Sequence, residues 1–144
     1  MRMPLSFLCA AAIVCTANSG CDRETPTEPA SGLDGAWRGT ITRGATVGTI
    51  TLLLTQSGAG VTGTWTADLD GLAFDQTGST GGTVTGSTVS LFLTPETLLT
   101  CASGATLSGS LAMNGSLTGD RLTGDYVMFT CDSVATGRIE VTRD

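Results

Sequence analysis

The chain has 144 residues, which favours a single domain, and it carries 20 glycines but only 5% aromatic residues. Abundant Gly and Thr disfavour helices and favour pleated strands, so the composition predicts an all-β protein. The absence of His and Lys removes the usual general base and Schiff-base nucleophile, and the net charge of −6 would repel the phosphates of a nucleic acid. We therefore expect a protein that is not an enzyme, needs no cofactor and binds no nucleic acid.

The first twenty residues are organised like an export signal. Arg2 supplies a positive charge, and residues 5–17 form an apolar stretch that is too short to span a bilayer. We therefore predict that residues 1–20 are a signal peptide and that the mature protein is exported. Removal of Arg2 leaves six arginines against thirteen acidic residues, so the mature chain has a net charge of −7.

The signal ends in Ser19-Gly20-Cys21, a sequence that resembles the bacterial lipobox. In that motif, small residues precede a Cys that is acylated and becomes the new N-terminus. The resemblance implies that Cys21 is the lipidation site and that the protein is a lipoprotein anchored to a membrane of the cell envelope. Ala17-Asn18-Ser19 also fits the small–x–small site of ordinary signal peptidase, so a secreted or periplasmic form is the alternative.

Residues 21–32 are predicted to be a lipid-anchored flexible tether, because they carry four charges, two prolines and no large apolar side chain. The folded domain is expected over residues 33–144. Its two cysteines, Cys101 and Cys131, form an even pair in an oxidising compartment and lack the spacing of a redox pair. We predict a structural disulfide between them, contributing about 3–4 kcal/mol by the chain-entropy estimate.

Across the predicted domain, apolar residues alternate with Thr and other polar residues, as in antiparallel strands with one buried and one wet face. The apolar positions fall into seven runs: Trp37–Ile41, Ile50–Leu54, Val61–Ala67, Val89–Leu93, Leu107–Met113, Leu122–Met128 and Ala135–Val141. Turns are predicted at Arg43-Gly44, Ser57-Gly58, Asp70-Gly71, Gly81-Gly82, Asn114-Gly115 and Gly119-Asp120.

In five of these segments a Gly lies between two apolar residues on the inward face. The five triplets are Trp37-Gly39-Ile41, Val61-Gly63-Trp65, Leu107-Gly109-Leu111, Leu122-Gly124-Tyr126 and Ala135-Gly137-Ile139. Gly inside a strand indicates strong bending or a large neighbouring side chain over the backbone, and both occur in a small closed sheet. We therefore predict an antiparallel up-and-down β-barrel of about eight to ten strands with one disulfide.

Several short motifs resemble the calycin group of barrels, which includes the lipocalins and avidins. Residues 34–39 (Asp-Gly-Ala-Trp-Arg-Gly) are similar to the Gly-x-Trp start of that group, and residues 61–65 and 122–126 resemble the Leu-Thr-Gly-aromatic strands of avidin-type barrels. The resemblance implies a small lipocalin-like barrel. Lipocalins also pair the first-strand Trp with an Arg of the last strand. Arg138 is the candidate for that role, although strand alternation places it on the polar face beside Glu140.

The aromatic residues Trp37, Trp65 and Tyr126 are the candidate ligand-lining residues, because all three fall on the predicted inward face. They either fill the barrel with side chains or line a cavity for a small apolar ligand, since small eight-stranded barrels are found in both forms. Both interpretations stay open at this point.

Three further apolar residues, Phe92, Val127 and Phe129, fall on the predicted outer face. They indicate either an exposed apolar patch that binds a protein partner or a surface that a second sheet or loop covers.

Asp68, Asp70 and Asp75 are the clustered carboxylates of the chain, and they flank a predicted turn. A glycosidase needs two carboxylates around a sugar cleft, and a calcium loop needs further ligands that are missing here. We interpret these residues as turn formers and predict neither a catalytic site nor a metal site.

Taken together, these features favour a non-enzymatic cell-envelope lipoprotein with a binding or structural role. The first alternative is a lipocalin-like carrier of a small apolar ligand, which would require an interior cavity. The second alternative is a protein-binding module such as a barrel-type protease inhibitor, which would insert loops into its partner.

Overall fold

The computed structural model describes residues 32–69 and 76–144. The predicted signal peptide, the lipidation site Cys21 and nearly all of the tether lie outside the described residues, as do Asp70 and Asp75 with the turn predicted there. No helix occurs within the described ranges, so these residues contain no helix that could cross a membrane.

Ten β-strands make up the regular structure. They are β1 (Gly35–Arg43), β2 (Thr46–Ser57), β3 (Gly60–Asp68), β4 (Gln76–Thr85), β5 (Thr88–Pro95), β6 (Leu99–Thr100), β7 (Thr106–Leu107), β8 (Leu111–Thr118), β9 (Arg121–Phe129) and β10 (Val134–Arg143). Strands β6 and β7 form a small hairpin between β5 and β8, and the other eight strands form one closed antiparallel barrel.

The barrel has an up-and-down topology. Its strand order is β1-β10-β9-β8-β5-β4-β3-β2, and β10 pairs with β1 to close the sheet. In this closing pair Trp37 lies opposite Arg143, and Ile41 lies opposite Ile139. Closure leaves the barrel without an unpaired edge. The predicted fold class is therefore confirmed, and the architecture is consistent with the calycin-like fold that the motif resemblance implies.

All eight barrel strands contribute inward apolar side chains to one core, while Thr and Ser alternate with them on the outside. Among the largest fully buried side chains are Trp37, Trp65 and Tyr126. At roughly 200 Å² each and 25 cal/mol per Å², burial of each aromatic ring contributes about 5 kcal/mol of transfer free energy. Leu33, just before β1, is also fully buried and extends the core to one end of the barrel.

Two inward glycines show how the sheet closes so tightly. At Gly39 a Cβ would collide with the backbone of Glu140 on the neighbouring strand. At Gly137 a Cβ would strike the carbonyl of Thr42 and also the ring of Tyr126, which lies over this position. Both expected reasons for inward Gly, a close strand approach and an aromatic cover, are therefore present.

Gly109 departs from this pattern. It has a φ of 62°, lies between β7 and β8, and faces the side chain of Leu99. The predicted continuous run Leu107–Met113 is therefore wrong, because this left-handed backbone, which Gly adopts readily, separates the hairpin from the barrel strand.

Three predicted turns are confirmed at Gly44, Gly58 and Gly119, where φ is 58–59°. A positive φ at the first central residue is characteristic of type I′ and II′ turns, whose twist suits two-residue hairpin connections.

Two other predicted turns are wrong. Gly81-Gly82 lies within β4 and Asn114-Gly115 lies within β8, whereas the chain turns between β4 and β5 at Gly86. A Cβ at Gly82 or Gly115 would collide with the adjacent strand backbone. Glycine at these positions therefore permits close strand packing. Because a tight turn also favours glycine, the sequence does not distinguish the two roles.

The predicted disulfide between Cys101 and Cys131 is confirmed, with a Cα–Cα distance of 5.4 Å and 30 residues of separation. Cys101 lies in the loop of the β6–β7 hairpin, and Cys131 lies between β9 and β10. The bond therefore attaches the hairpin to the barrel.

Because consecutive strands run antiparallel, connections alternate between two ends of the barrel. The tight-turn end carries residues 32–34, the turns at 58–59, 86–87 and 119–120, and the C-terminus. The long-connection end carries the turn at 44–45, the end of β3, the start of β4, and the connections at 96–110 and 130–133, with the disulfide.

Candidate functional site

The three candidate ligand-lining aromatics occupy the barrel interior, and each is at most 2% exposed. Their polar atoms are bonded to the backbone of the protein. Trp37 Nε1 donates to the Leu33 carbonyl at 3.0 Å, and Trp65 Nε1 donates to the Ser79 carbonyl at 3.0 Å. The Tyr126 hydroxyl donates to the Thr42 carbonyl, also at 3.0 Å. Three polar groups that could orient an interior ligand are thus already used by the fold.

The environment of Tyr126 keeps its hydroxyl protonated. Burial raises the pKa of this phenol above its ordinary value, and the positive charge of Arg43 lowers it by less. A neutral hydroxyl is the form that can donate to the Thr42 carbonyl, so the group serves as a structural donor.

The last strand places Arg143, rather than Arg138, against the first-strand Trp. The Arg143 guanidinium lies 4.6 Å from the centre of the Trp37 ring, within the range of a cation–π interaction. Its nitrogens also donate to the carbonyls of Gly32 and Asp34 and pair with the Asp120 carboxylate at 3.1 Å. These contacts fix the segment that precedes β1.

Arg138 lies on the outer face, as alternation along β10 predicts. It pairs with Asp125 at 3.1 Å and with Glu140 at 2.9 Å. The prediction that Arg138 pairs with the first-strand Trp is therefore wrong, because the strand register places Arg143 opposite Trp37. That register could not be read from the sequence alone.

Gln76 is an interior residue that sequence reasoning missed. It lies inward at the start of β4, opposite Ala67, and is 5% exposed. Its Oε1 has no hydrogen-bond donor within the described part of the chain. A buried acceptor without a donor costs about 1–3 kcal/mol. The alternation through Thr80 and Gly78 could have identified Gln76 as inward.

An open groove of about 600 Å³ runs over the outer face of β8, β9 and β10 and reaches Thr42 of β1 and Gly44 of the adjoining turn. Its walls include two rows of register partners across these strands. The rows are Ala112, Val127 and Thr136, and Asn114, Asp125 and Arg138. The first row is mainly apolar and the second is polar, so the groove is amphipathic.

The polar side of the groove is part of an exposed ion-pair network. Arg138 pairs with Asp125 and Glu140, and Arg121 pairs with Glu140 at 2.9 Å. The hydrogen bond from Arg138, followed by that from Arg121, lowers the pKa of Glu140, while the bond to Glu140 raises the pKa of Arg138. The two carboxylates neutralise Arg138 and hold its side chain at the groove wall.

An apolar patch adjoins the groove. Phe92 on β5 shares a row with Ala112 and Val127, and Phe129 lies opposite Val134 at the end of β9. Phe92 is 51% exposed, Phe129 65% and Val134 55%. We call these five residues the outer patch. The predicted exposed patch of Phe92, Val127 and Phe129 is therefore present, and no second sheet or loop among residues 32–69 and 76–144 covers it.

The acidic residues do not form a site within the described ranges. Asp68 ends β3, whereas Asp70 and Asp75 lie outside these ranges. Among residues 32–69 and 76–144, no three His, Cys, Asp or Glu side chains come together to hold a metal ion.

Comparison with protein-family models and with curated proteins yields no match to this sequence. The function is therefore inferred from the barrel's own residues.

Proposed function

We propose that the protein is a non-enzymatic component of the cell envelope, anchored to a membrane through Cys21, which acts by binding at the outside of its barrel. The observation that carries this proposal is the occupied interior. Trp37, Trp65 and Tyr126 fill space inside the barrel and bond their polar atoms to its backbone. The groove and the outer patch, in contrast, are accessible.

The anchor is supported by the short apolar segment at residues 5–17 and by the small residues before Cys21. Residues 21–31 would join the lipid to Gly32 at the tight-turn end, over a span of at most about 40 Å. The long-connection end, which carries the hairpin and Phe129, would then point away from the anchoring membrane.

The anchor is tested by replacing Cys21 with Ser and following the protein between membrane and soluble fractions. We expect Cys21→Ser to move the protein to the soluble fraction and to remove the mass of the acyl chains. Cys15→Ser, a matched change within the signal peptide, should leave both properties unaltered. Unchanged membrane partitioning of Cys21→Ser would reject the anchor.

A second candidate function, a lipocalin-like carrier of a small apolar ligand, is supported by Gln76. Its buried Oε1, which has no donor among residues 32–69 and 76–144, could accept a hydrogen bond from a ligand that carries an N–H or O–H group. The interior position of this acceptor at the long-connection end would suit a ligand that enters there.

Native mass spectrometry of the mature protein after incubation with an envelope extract distinguishes the two functions. Exterior binding predicts that the barrel itself holds no small molecule. The carrier function predicts a reproducible added mass that is lost on unfolding and that Gln76→Met reduces. An added mass with that behaviour would overturn the exterior-binding proposal.

A further inference from the structure

We propose that the outer patch and the adjoining groove bind a short, extended segment of another protein that combines apolar and positively charged side chains. This inference rests on the proposed function, in that the barrel acts at its exterior, and it specifies the surface and the chemistry of the partner.

The first argument is the concentration of exposed apolar side chains on one face. Phe92 and Val127 lie on either side of Ala112 in one row across β5, β8 and β9, and Phe129 and Val134 form a neighbouring pair on β9 and β10. Elsewhere the outward positions are mostly Thr and Ser. Leu53, which is 58% exposed, lies on β2 and is separated from β9 by β1 and β10. It therefore provides a natural control.

The second argument is size. The two Phe and two Val side chains expose roughly 400 Å² of apolar surface, since an aromatic side chain has about 150–250 Å². A standard protein–protein interface needs about 800 Å² on each side. Because only somewhat more than half of such an interface is apolar, the patch supplies most of the apolar contact of one side, and the polar contacts fall to the surface beside it. With a groove of about 600 Å³ beside it, it suits an extended segment.

Charge also constrains the partner. Arg138 is neutralised by Asp125 and Glu140. Arg43, which has no ion pair within the described residues, borders the groove on its β1 side, one strand removed from β9 and Phe129. Asp132, in the connection between Phe129 and Val134, has no ion pair within the described residues. The whole chain is also acidic, with a net charge of −6. A basic side chain next to the apolar anchors is therefore the favoured complement.

The fourth argument is orientation. Gly32 lies at the tight-turn end, whereas Phe129, Asp132 and Val134 lie at the opposite end. An anchor that reaches the barrel through Gly32 presents the outer patch away from its own membrane. Asp132, which has no ion pair within the described ranges, also disfavours contact with an anionic lipid surface, so a protein segment is the favoured occupant.

The test uses the full chain carrying Cys21→Ser and three fluorescein-labelled ten-residue peptides of alternating composition. The peptides contain Leu and Arg, Leu and Glu, or Ser and Arg, and binding is followed by fluorescence anisotropy. We expect the Leu/Arg peptide to bind at least tenfold more tightly than the other two. Phe129→Ser and Phe92→Ser should each weaken binding about tenfold, as expected for a central apolar anchor, whereas Leu53→Ser should have no effect.

Asp132→Asn should weaken binding of the Leu/Arg peptide about threefold and reduce its dependence on salt concentration, because one partly exposed charge pair is lost. All substituted side chains are on the surface, so thermal unfolding should show intact barrels.

Several results would overturn the inference. They are a lack of binding by all three peptides, equal binding of the Leu/Arg and Leu/Glu peptides, and equal effects of Phe129→Ser and Leu53→Ser.

Phe129-dependent dimerisation in sedimentation would assign the patch to a second copy of the chain. Phe129-dependent binding to phosphatidylglycerol vesicles would assign it to a lipid surface. A small molecule inside the barrel would instead overturn the proposed function, and native mass spectrometry detects that outcome separately.

Discussion

The tight-turn end and the long-connection end of the barrel differ in how completely they are tied to the core. At the tight-turn end, Leu33 is fully buried, and its backbone N–H donates to the Gln56 side chain at 2.7 Å. The backbone N–H of Gln56 donates in turn to the Asp34 carboxylate at 2.7 Å. Arg143 closes the same end by stacking on Trp37 and binding two backbone carbonyls.

The long-connection end is held differently within the described residues. The β6–β7 hairpin is joined to the barrel covalently by Cys101–Cys131, Gln76 has an unpartnered acceptor, and Phe129 projects into solvent. The segment that enters the barrel is thus fixed by buried and charge-assisted contacts, whereas exposed apolar side chains lie at the other end. This division is expected where a rigid scaffold presents a functional surface.

The largest expected effect contrasts an aromatic residue of the tight-turn end with one at the other end. Trp37→Ala should lower the free energy of unfolding by about 3–5 kcal/mol, because it empties a fully buried site. Phe129→Ala should change it by less than about 0.5 kcal/mol, because the ring is mostly exposed. Urea unfolding of both variants measures the difference, and similar losses would show that the two ends are equally structural.

The second prediction concerns the bond that attaches the hairpin. Replacing Cys101 and Cys131 together with Ser should cost about 3–4 kcal/mol, because the unfolded chain loses its cross-link. Hydrogen exchange should also accelerate in residues 96–110. At Trp37 and Leu33, hydrogen exchange should accelerate only by the factor expected from the fall in the global free energy of unfolding. Preferential loosening of the tight-turn end would contradict the proposed division.

A third prediction separates two arginines of the same strand. Arg143→Gln should lower the free energy of unfolding by about 2 kcal/mol, because it removes the stacking on Trp37 and charge-assisted bonds to backbone carbonyls. Arg138→Gln is the matched control and should leave the stability nearly unchanged, because its ion pairs are exposed. Equal losses from both variants would remove the special role of Arg143.

The smallest expected effect is the titration of Glu140. Its carboxyl should titrate below its ordinary pKa, and Arg138→Gln should bring the pKa back up. A carboxyl with a lowered folded pKa adds stability above its unfolded value near pH 4.3 and loses it as the pH falls through the folded pKa. Carbon-detected NMR of the Glu140 carboxyl measures this shift. A pKa that Arg138→Gln leaves unaltered would show that the ion pair does not form in solution.

Much of the fold could be predicted from local patterns, because alternation reports directly which side chains face inward. Trp37, Trp65 and Tyr126 are buried where alternation places them, and the even cysteine pair forms the expected bond. Turns were less predictable. Gly82 permits close strand packing and Gly86 forms the turn. Because both residues are glycine, the residue type alone does not show which of them turns the chain.

The candidate site depended on information that no local pattern carries. The pairing of Trp37 with Arg143 follows from the register of the strands that close the barrel, which are far apart in sequence. The apolar character of Phe92, Val127 and Phe129 was readable, but their assembly into one patch depends on the rows that cross β5, β8 and β9. The groove likewise combines residues of β1 with residues of β8, β9 and β10, which are far apart in sequence.

We propose that the barrel binds with its outside and keeps its interior for its own side chains. The two indole N–H groups of the chain, on Trp37 and Trp65, both lie inside the barrel and give two resolved reporters by nitrogen-15 NMR. During titration with an envelope extract, the account predicts that both indole signals stay in place while backbone signals of β8 to β10 shift. Movement of the Trp65 indole signal with no change on the outer face would contradict it.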